Sequence, residues 1–393
     1  MSMIGILQLD NPIMEYAWGS RTHIPALLGN PAPSEQPQAE LWMGAHPKAP
    51  SRTLGQTLIE VIDENPSAML GSSAAERYGG RLPFLFKLLA AAKPLSIQAH
   101  PNKEQAKAGF LTEESAGLAV DAANRNYKDD NHKPEILCAL TEFWALNGFR
   151  TLPSMLELID EVKLNSIASE IHLLRQTPNQ AGLRRFFESV IEIDGSRKDL
   201  LLSELLRGAG ELKSTRSEYR WILEVSDLFP GDIGVLCVLL LNLVKLEPGQ
   251  AIFCAAGDLH AYLDGFAVEL MANSDNVLRG GLTSKHVDVP ELMKTLTFQT
   301  GDVEILEPQN GRYVTPADEF ELSVLEVGNQ EIHRQSRGFE ILLNVAGDAS
   351  VSDPASPGPV PLPRGASVAI PAAIRECTIA GTATIYIAGA PAD

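Results

Sequence analysis

Apolar and polar positions change rhythm three times along this chain. In the first 150 residues, short strand-like runs alternate with turn residues. PFLFKLLAA (83–91) and PLSIQAHP (94–101), bounded by prolines, predict buried strands. The polar, alanine-rich residues 102–125 predict short helices. From 151 to 228, LPSMLELIDEV, LRRFFESVIEI, LLSELLRGAG and EYRWILEVSDLF place apolar residues three and four apart, the pattern of amphipathic helices. After PGDIG, the runs VLCVLLLNLVKL, AIFCAAGDLHAYL and AVELMANSDNVLRGGL read as short strands joined by glycine turns. From about 311, FELSVLEV, FEILLNVAG, ASVAIPAAI and ATIYIAG alternate with period two between Pro- and Gly-rich joints, as antiparallel strands of a sandwich or small barrel do. The predicted fold is mainly β with a helical insert. One β unit covers 1–150 and 229–310, the helices occupy 151–228, and a second β unit covers 311–393.

Composition narrows the function. With 45% hydrophobic and 21% charged residues, the 393-residue chain can build a sizeable core. Its 50 acidic and 32 basic side chains leave a net charge of −18, which argues against nucleic acid or an anionic membrane as partner. An anionic small substrate remains compatible if Lys and Arg cluster locally. The four cysteines, Cys138, Cys237, Cys254 and Cys377, stand singly in apolar runs, as buried reduced thiols do. MSMIGILQLDNP lacks the basic start of a signal peptide, and GVLCVLLLNLV (234–244) is too short to span a membrane. A cytoplasmic protein is expected, with a monomer as the working expectation for its assembly state.

Ligand-type side chains interrupt several apolar segments. In SIQAHP, Gln98 and His100 are two apart and share one face of a strand. HKPE carries Glu135 to the mouth of another strand, and GDLHAY sets His260 after a glycine turn. Two imidazoles, a carboxylate and an amide oxygen make a donor set suited to one zinc ion per chain, with water able to complete the shell. Each signal alone is weak; a lone strand histidine is more often structural.

Gly249, Gly257, His260 and Asp264 resemble the glycine-turn motif of cupin barrels, with Ala255 and Asp264 departing from its usual Pro and Asn. YKDDNHKPE (127–135) then resembles the full signature of type I mannose-6-phosphate isomerases. NPIMEYAWGS (11–20), AELWMGAHP (39–47), PFLFKLLAAAKPLSIQAHP (83–101), GDLHAYLDG (257–265) and NSDNVLRGGLTSKHVD (273–288) resemble that family in order. The resemblance implies two cupin-like β-barrel or jelly-roll domains plus an inserted α-helical domain. It also implies Gln98, His100, Glu135 and His260 as zinc ligands, and interconversion of mannose 6-phosphate and fructose 6-phosphate.

That reaction moves a proton between carbons 1 and 2, so it needs a base of near-neutral pKa. Lys133, next to the Glu135 segment, is the first candidate, with Glu269 and Asp275 as rivals. Asp275 is alternatively a group for ring opening, together with His100 or His132. Arg279 would stabilise enediolate charge. Lys87 has only apolar neighbours in sequence, and an unpaired buried lysine is costly, so it is expected to face a wet pocket. With Ser96 and Lys285 it resembles the family's phosphate contacts. Trp18 and Trp42 read as packing residues, His23, His172 and His333 as surface or structural, and His46 is left without a role. The competing reading is a non-catalytic or regulatory sugar-phosphate-binding cupin. A cupin dioxygenase, which favours more imidazole, fits less well.

Overall fold

A computed structural model describes residues 5–354 and 358–391. Antiparallel strands dominate it, in one ten-stranded and one eight-stranded sheet, with helices gathered mainly between the strands Phe143–Phe149 and Leu241–Leu246.

In the larger sheet the strand order runs Leu241–Leu246, Phe143–Phe149, His260–Ala272, Phe84–Ala91, Glu40–Gly44, Ile13–Met14. The 13-residue strand His260–Ala272 holds the sheet together. Its first residues pair with Phe143–Phe149 and Ile97–Ala99; from Gly265 onward it pairs with Phe84–Ala91 and Glu135–Ala139. The change of partner coincides with a register shift between Tyr262 and Asp264 and with Gly265 at φ 129°. A Cβ at Gly265 would lie 2.6 Å from Cδ2 of Phe143, so the bend and the close packing both require glycine.

Alternation along Phe84–Ala91 explains why a fully buried strand can carry a lysine. Phe84, Phe86, Leu88 and Ala90 face a core shared with Ile341, Leu343 and Tyr386 of the second sheet. Leu85, Lys87 and Leu89 point the other way, into a cavity enclosed by the larger sheet.

The eight-stranded sheet runs Leu7–Leu9, Ser367–Ile370, Glu340–Ser352, Glu376–Gly389, Glu321–Val327, Arg312–Tyr313. All but its first strand come from the last part of the chain. By sequence the start of the chain groups with residues 1–150, yet Leu7 pairs with Ala369 and Leu9 with Ser367.

Amphipathic helices Leu152–Val162, Ala168–Gln176, Gln180–Ile191, Gly195–Leu212 and Ser217–Leu228 occupy the stretch whose periodicity predicts them. Their apolar stripes (Met155, Ile159, Phe187, Leu205, Ile222) meet Phe149, Leu259 and Phe298 beside the larger sheet. Within 102–125, the helix is Lys103–Ser115, capped by Asn102 and Gln105; residues 116–134 contain no helix or strand.

Two expectations fail. The run read as strand from 235 begins as short helical turns, Ile233–Leu236 and Cys237–Leu240, and becomes strand only at Leu241. Fully apolar runs carry no period to separate helix from strand. Helices Leu58–Glu64, Pro66–Leu70 and Ser72–Arg77 stand where turns and strands are expected. The Thr57–Glu60 capping box and the Asn65 cap before Pro66 start the first two. All four cysteines are free and buried. Among the described residues, no helix is long and apolar enough to cross a membrane.

Candidate metal centre and its cavity

His100, Glu135 and His260 come from three strands or strand ends and meet at full burial. Their ligand atoms lie within 4.8 Å of one another, the one such group among the described residues. His100 Nε2 is 3.4 Å from Glu135 Oε1, and His260 Nε2 is 3.5 Å from Glu135 Oε2. The other ring nitrogens decide the tautomers. Nδ1 of His100 sits 2.7 Å from the carbonyl of Asn276, and Nδ1 of His260 sits 3.0 Å from the carbonyl of Asp258. A carbonyl only accepts, so each Nδ1 carries a proton, and in the neutral ring it is Nε2 that presents a lone pair.

Both Nε2 atoms are buried without a hydrogen-bond partner. Two buried ring nitrogens that face one carboxylate and have no hydrogen-bond partner fit a cation. Burial, then the Lys133 ammonium, push the His100 imidazole down to about 4, which keeps it neutral and able to ligate. Burial works to raise the Glu135 carboxyl, but the Lys133 ammonium overcomes it and holds it well below the usual range. Gln98 lies directly opposite His260 in the strand register and lines the same cavity as Glu135. The nitrogen and oxygen donors present fit zinc.

A turn built on Gly257 aims His260. Gly257 stands at φ 81°, its N–H donates to the His100 carbonyl at 2.8 Å, and its carbonyl accepts from Thr297 N–H at 3.2 Å. One backbone turn thereby ties two ligand segments together. Tyr262, two residues beyond His260 on the same strand face, donates its hydroxyl to Glu135 Oε2 at 3.2 Å.

The centre opens into a cavity of about 650 Å³. Lys133, Glu269, Asp275, Arg279, Lys87, Ser96 and Lys285 all line it. Lys133 pairs with Glu135 at 2.9 Å, not with Asp129 or Asp130. Arg279 is half-buried on Leu278–Gly281, opposite Gln98, and makes no ion pair among the described residues; burial pulls its pKa down. Asp275 lies at the mouth, 3.7 Å from His46 Nε2. Burial is the main reason that His46 is lowered to about 4, with Asp275 opposing and nearby lysines assisting. Lys285 is exposed at the rim; burial of part of its chain, then Arg279, Lys128 and Lys48, lower its pKa. A cationic rim therefore exists within an acidic protein.

Two candidates sit differently from expectation. Lys87 is not unpaired: Glu269 lies directly opposite it across the strands, at 2.9 Å, and Glu40 Oε1 lies at 3.9 Å. Burial raises Glu269 above the usual carboxylate range, Lys87 pulls it back, and the Glu135 and Glu40 charges raise it further. His132 does not line the cavity; its Nε2 is 2.6 Å from Glu319 Oε1. As its neighbour Lys133 turns inward, His132 turns towards the segment leading into the second sheet, away from the candidates that line the cavity. Glu40 and Tyr262 enter the site only through the structure, although each is two residues from a side chain that the sequence singles out, Trp42 and His260, and His46, without a role in the sequence, gains a partner in Asp275. Trp42 is buried yet lines the cavity, and its indole N–H donates to Glu40 at 2.6 Å.

The catalytic-domain profile of type I phosphomannose isomerases matches residues 6–152. Mannose-6-phosphate isomerase of Salmonella typhimurium is 44% identical over 354 residues, covering 87% of this chain and 89% of that protein. The Homo sapiens enzyme of the same name is 33% identical over 400 residues, covering 92% of each. Among solved structures, a zinc-bound mannose 6-phosphate isomerase has a TM-score of 0.90 at 39% identity, covering 98% of this chain and 100% of the other. The apo form from Salmonella typhimurium has a TM-score of 0.91 at 40% identity, with coverage of 99% and 100%. On the matched profile and on identity extending across most of both chains, this protein belongs to the type I phosphomannose isomerase family.

Proposed function

We propose that this chain is a zinc-dependent aldose–ketose isomerase that interconverts mannose 6-phosphate and fructose 6-phosphate. The observation that carries this reading is the pair of partnerless imidazole nitrogens facing Glu135 at the edge of a cavity lined by Lys133 and Arg279. Relatives named mannose-6-phosphate isomerase and a zinc-bound neighbour supply the substrate and the metal.

Gln98, His100, Glu135 and His260 would hold the ion. When bound, zinc supplies Lewis acidity to the carbonyl and hydroxyl oxygens of carbons 1 and 2. Lys133 is assigned the proton transfer between those carbons, a step its side chain performs only as the neutral amine, after passing its own proton to solvent; its Nζ lies 2.9 Å from the metal-binding carboxylate. Glu269 is the alternative base, but its carboxylate is engaged by Lys87. Asp275, at the mouth beside His46, is assigned ring opening. Arg279 stabilises negative charge on the substrate oxygens. Lys285, Ser96 and Lys87 are assigned to the phosphate, with Lys48 and Lys128 adding positive potential around the same cavity.

Architecturally, the proposal is a cupin-type β unit from 1–150 and 229–310 that carries the site, the helical insert 151–228, and a second cupin-like unit 311–393. A cytoplasmic setting suits the buried, unpaired thiols. A non-catalytic sugar-phosphate binder is disfavoured because Lys133, Asp275 and Arg279, which simple binding would not require, line the same cavity as Glu135. The test is solvent-deuterium incorporation: mannose 6-phosphate incubated with the protein in D2O should exchange its carbon-2 hydrogen while forming fructose 6-phosphate. Binding without exchange or product would favour the non-catalytic reading.

A further inference from the structure

We propose that Asn276 and Asp129 are positioning residues that set His100 for metal binding, by bolting together two loops that lack regular structure. The inference rests on the zinc reading above and extends it to side chains that do not touch the ion.

Asn276 is fully buried, and its amide is saturated on a segment distant in sequence. Its Oδ1 accepts from the backbone N–H of Lys128 at 2.7 Å and of Asp129 at 3.2 Å. Its Nδ2 donates to the carbonyls of Asp129 and Asn131, both at 2.8 Å. Two lone pairs and two hydrogens are all that a primary amide offers. Asp129 reciprocates: one carboxylate oxygen accepts from Asp275 N–H at 2.7 Å, the other from the Ser274 hydroxyl at 2.8 Å and Asn131 N–H at 3.0 Å. Residues 128–131 and 274–276 belong to no helix or strand, so these side-chain bonds stand in for a backbone ladder.

The clasp has one outward product. The Asn276 carbonyl accepts the Nδ1 proton of His100 at 2.7 Å. That bond fixes the tautomer and turns Nε2 towards Glu135. His260 takes its equivalent bond from Asp258, two residues upstream in its own turn. His260 is therefore set locally, whereas the setting of His100 depends on a carbonyl held from a remote loop. The front half of the YKDDNHKPE block, which binds nothing in the cavity through Asp129, acquires a role from this geometry.

The experiment measures zinc affinity of the metal-stripped full chain by competition with a fluorescent chelator. Asn276→Ala is expected to weaken binding by about 10- to 100-fold, the range for lost outer-shell support, with Asn276→Ser in between. Tyr127→Phe is the control, since it cuts a 2.8 Å bond tying the same segment to Glu291 on the helix Val289–Thr295 and spares the clasp. It should stay within about threefold of wild type, well inside the outer-shell range. Wild-type affinity in Asn276→Ala, or an equal loss in Tyr127→Phe, overturns the proposal. Should Asn276→Ala fail to fold, Asp129→Asn replaces it: an amide facing Asp275 N–H breaks the clasp from the other side, and unchanged zinc affinity there overturns the proposal equally. Wild-type protein that binds no zinc would instead refute the metal reading itself.

Discussion

Replacing Lys87 with methionine removes an ammonium that serves two carboxylates in a closed environment. Lys87 is 2.9 Å from Glu269 and 3.9 Å from Glu40, and all three side chains are buried. At an effective dielectric of about 20, these contacts represent gross attractions of about 6 and about 4 kcal/mol. Desolvation offsets much of that, and breaking one side of a buried pair costs about 3–5 kcal/mol net. Glu269→Gln should cost less, because Lys87 keeps Glu40. In the double variant, Glu40 retains the Trp42 N–H at 2.6 Å, so the loss should fall well short of additive. A double-mutant cycle by urea unfolding should give a coupling of at least about 2 kcal/mol; additivity within about 0.5 kcal/mol would refute the pairing.

Protonation sets a second signature for the same variant. Burial already raises Glu269, and losing Lys87 removes the charge that pulls it back. A carboxyl whose folded pKa exceeds its unfolded value binds more protons when folded, so its stabilisation is present at low pH and lost as pH rises through the folded pKa. Lys87→Met should therefore lose stability, relative to wild type, as pH rises above the ordinary carboxylate range. A pH-independent difference would show that Glu269 stays ionised. The same variant should raise KM for mannose 6-phosphate far more than for mannose; equal changes would remove Lys87 from the phosphate site.

His260→Ala deletes one of two aimed imidazoles and should leave less than about a tenth of an equivalent of zinc by elemental analysis; near-stoichiometric metal contradicts the ligand assignment. Lys133→Ala should lower kcat by roughly 10²- to 10⁴-fold, the span of general acid–base catalysis, and abolish carbon-2 exchange in D2O. Retained exchange moves the base to Glu269 or Asp275. The metal-free protein should lose stability as pH falls from 6.5 to about 4, because His46 and His100 are held to about 4 when folded and the unfolded chain binds their protons first. Each can contribute up to roughly 3 kcal/mol; urea midpoints that coincide at pH 7 and 4.5 would argue against neutral buried rings. Gly257→Ala would place a Cβ 2.9 Å from the Thr295 carbonyl at φ 81°. It should cost about 2–4 kcal/mol of stability, strain plus overlap; an unchanged melting temperature would show that the turn yields.

How much the sequence disclosed follows from the range of each interaction. Strand alternation is local, so SIQAHP announced Gln98 and His100 as neighbours on one face, and the helical stripes of 152–228 were visible as periods. The same local rule links Tyr262 to His260, and the Thr57–Glu60 capping box is legible in the letters as well. What local pattern could not disclose was partnership across the sheet. Lys87 looked unpaired because Glu269 arrives from 182 residues away, and it does so only through the register of His260–Ala272 on Phe84–Ala91. His132 and Lys133 are adjacent in sequence and equally suited to chemistry, yet only the fold shows that one enters the cavity and the other meets Glu319. The Leu7–Leu9 strand likewise joins the last strands of the chain through pairings that no nearby residue signals.

The most direct measurement is zinc stoichiometry against isomerase rate. The protein is stripped with chelator, titrated with zinc, and assayed on mannose 6-phosphate at each step. The account predicts no turnover when stripped, then a linear return that ends at one zinc per chain. Full activity in stripped protein, or one bound zinc that restores none, would contradict it.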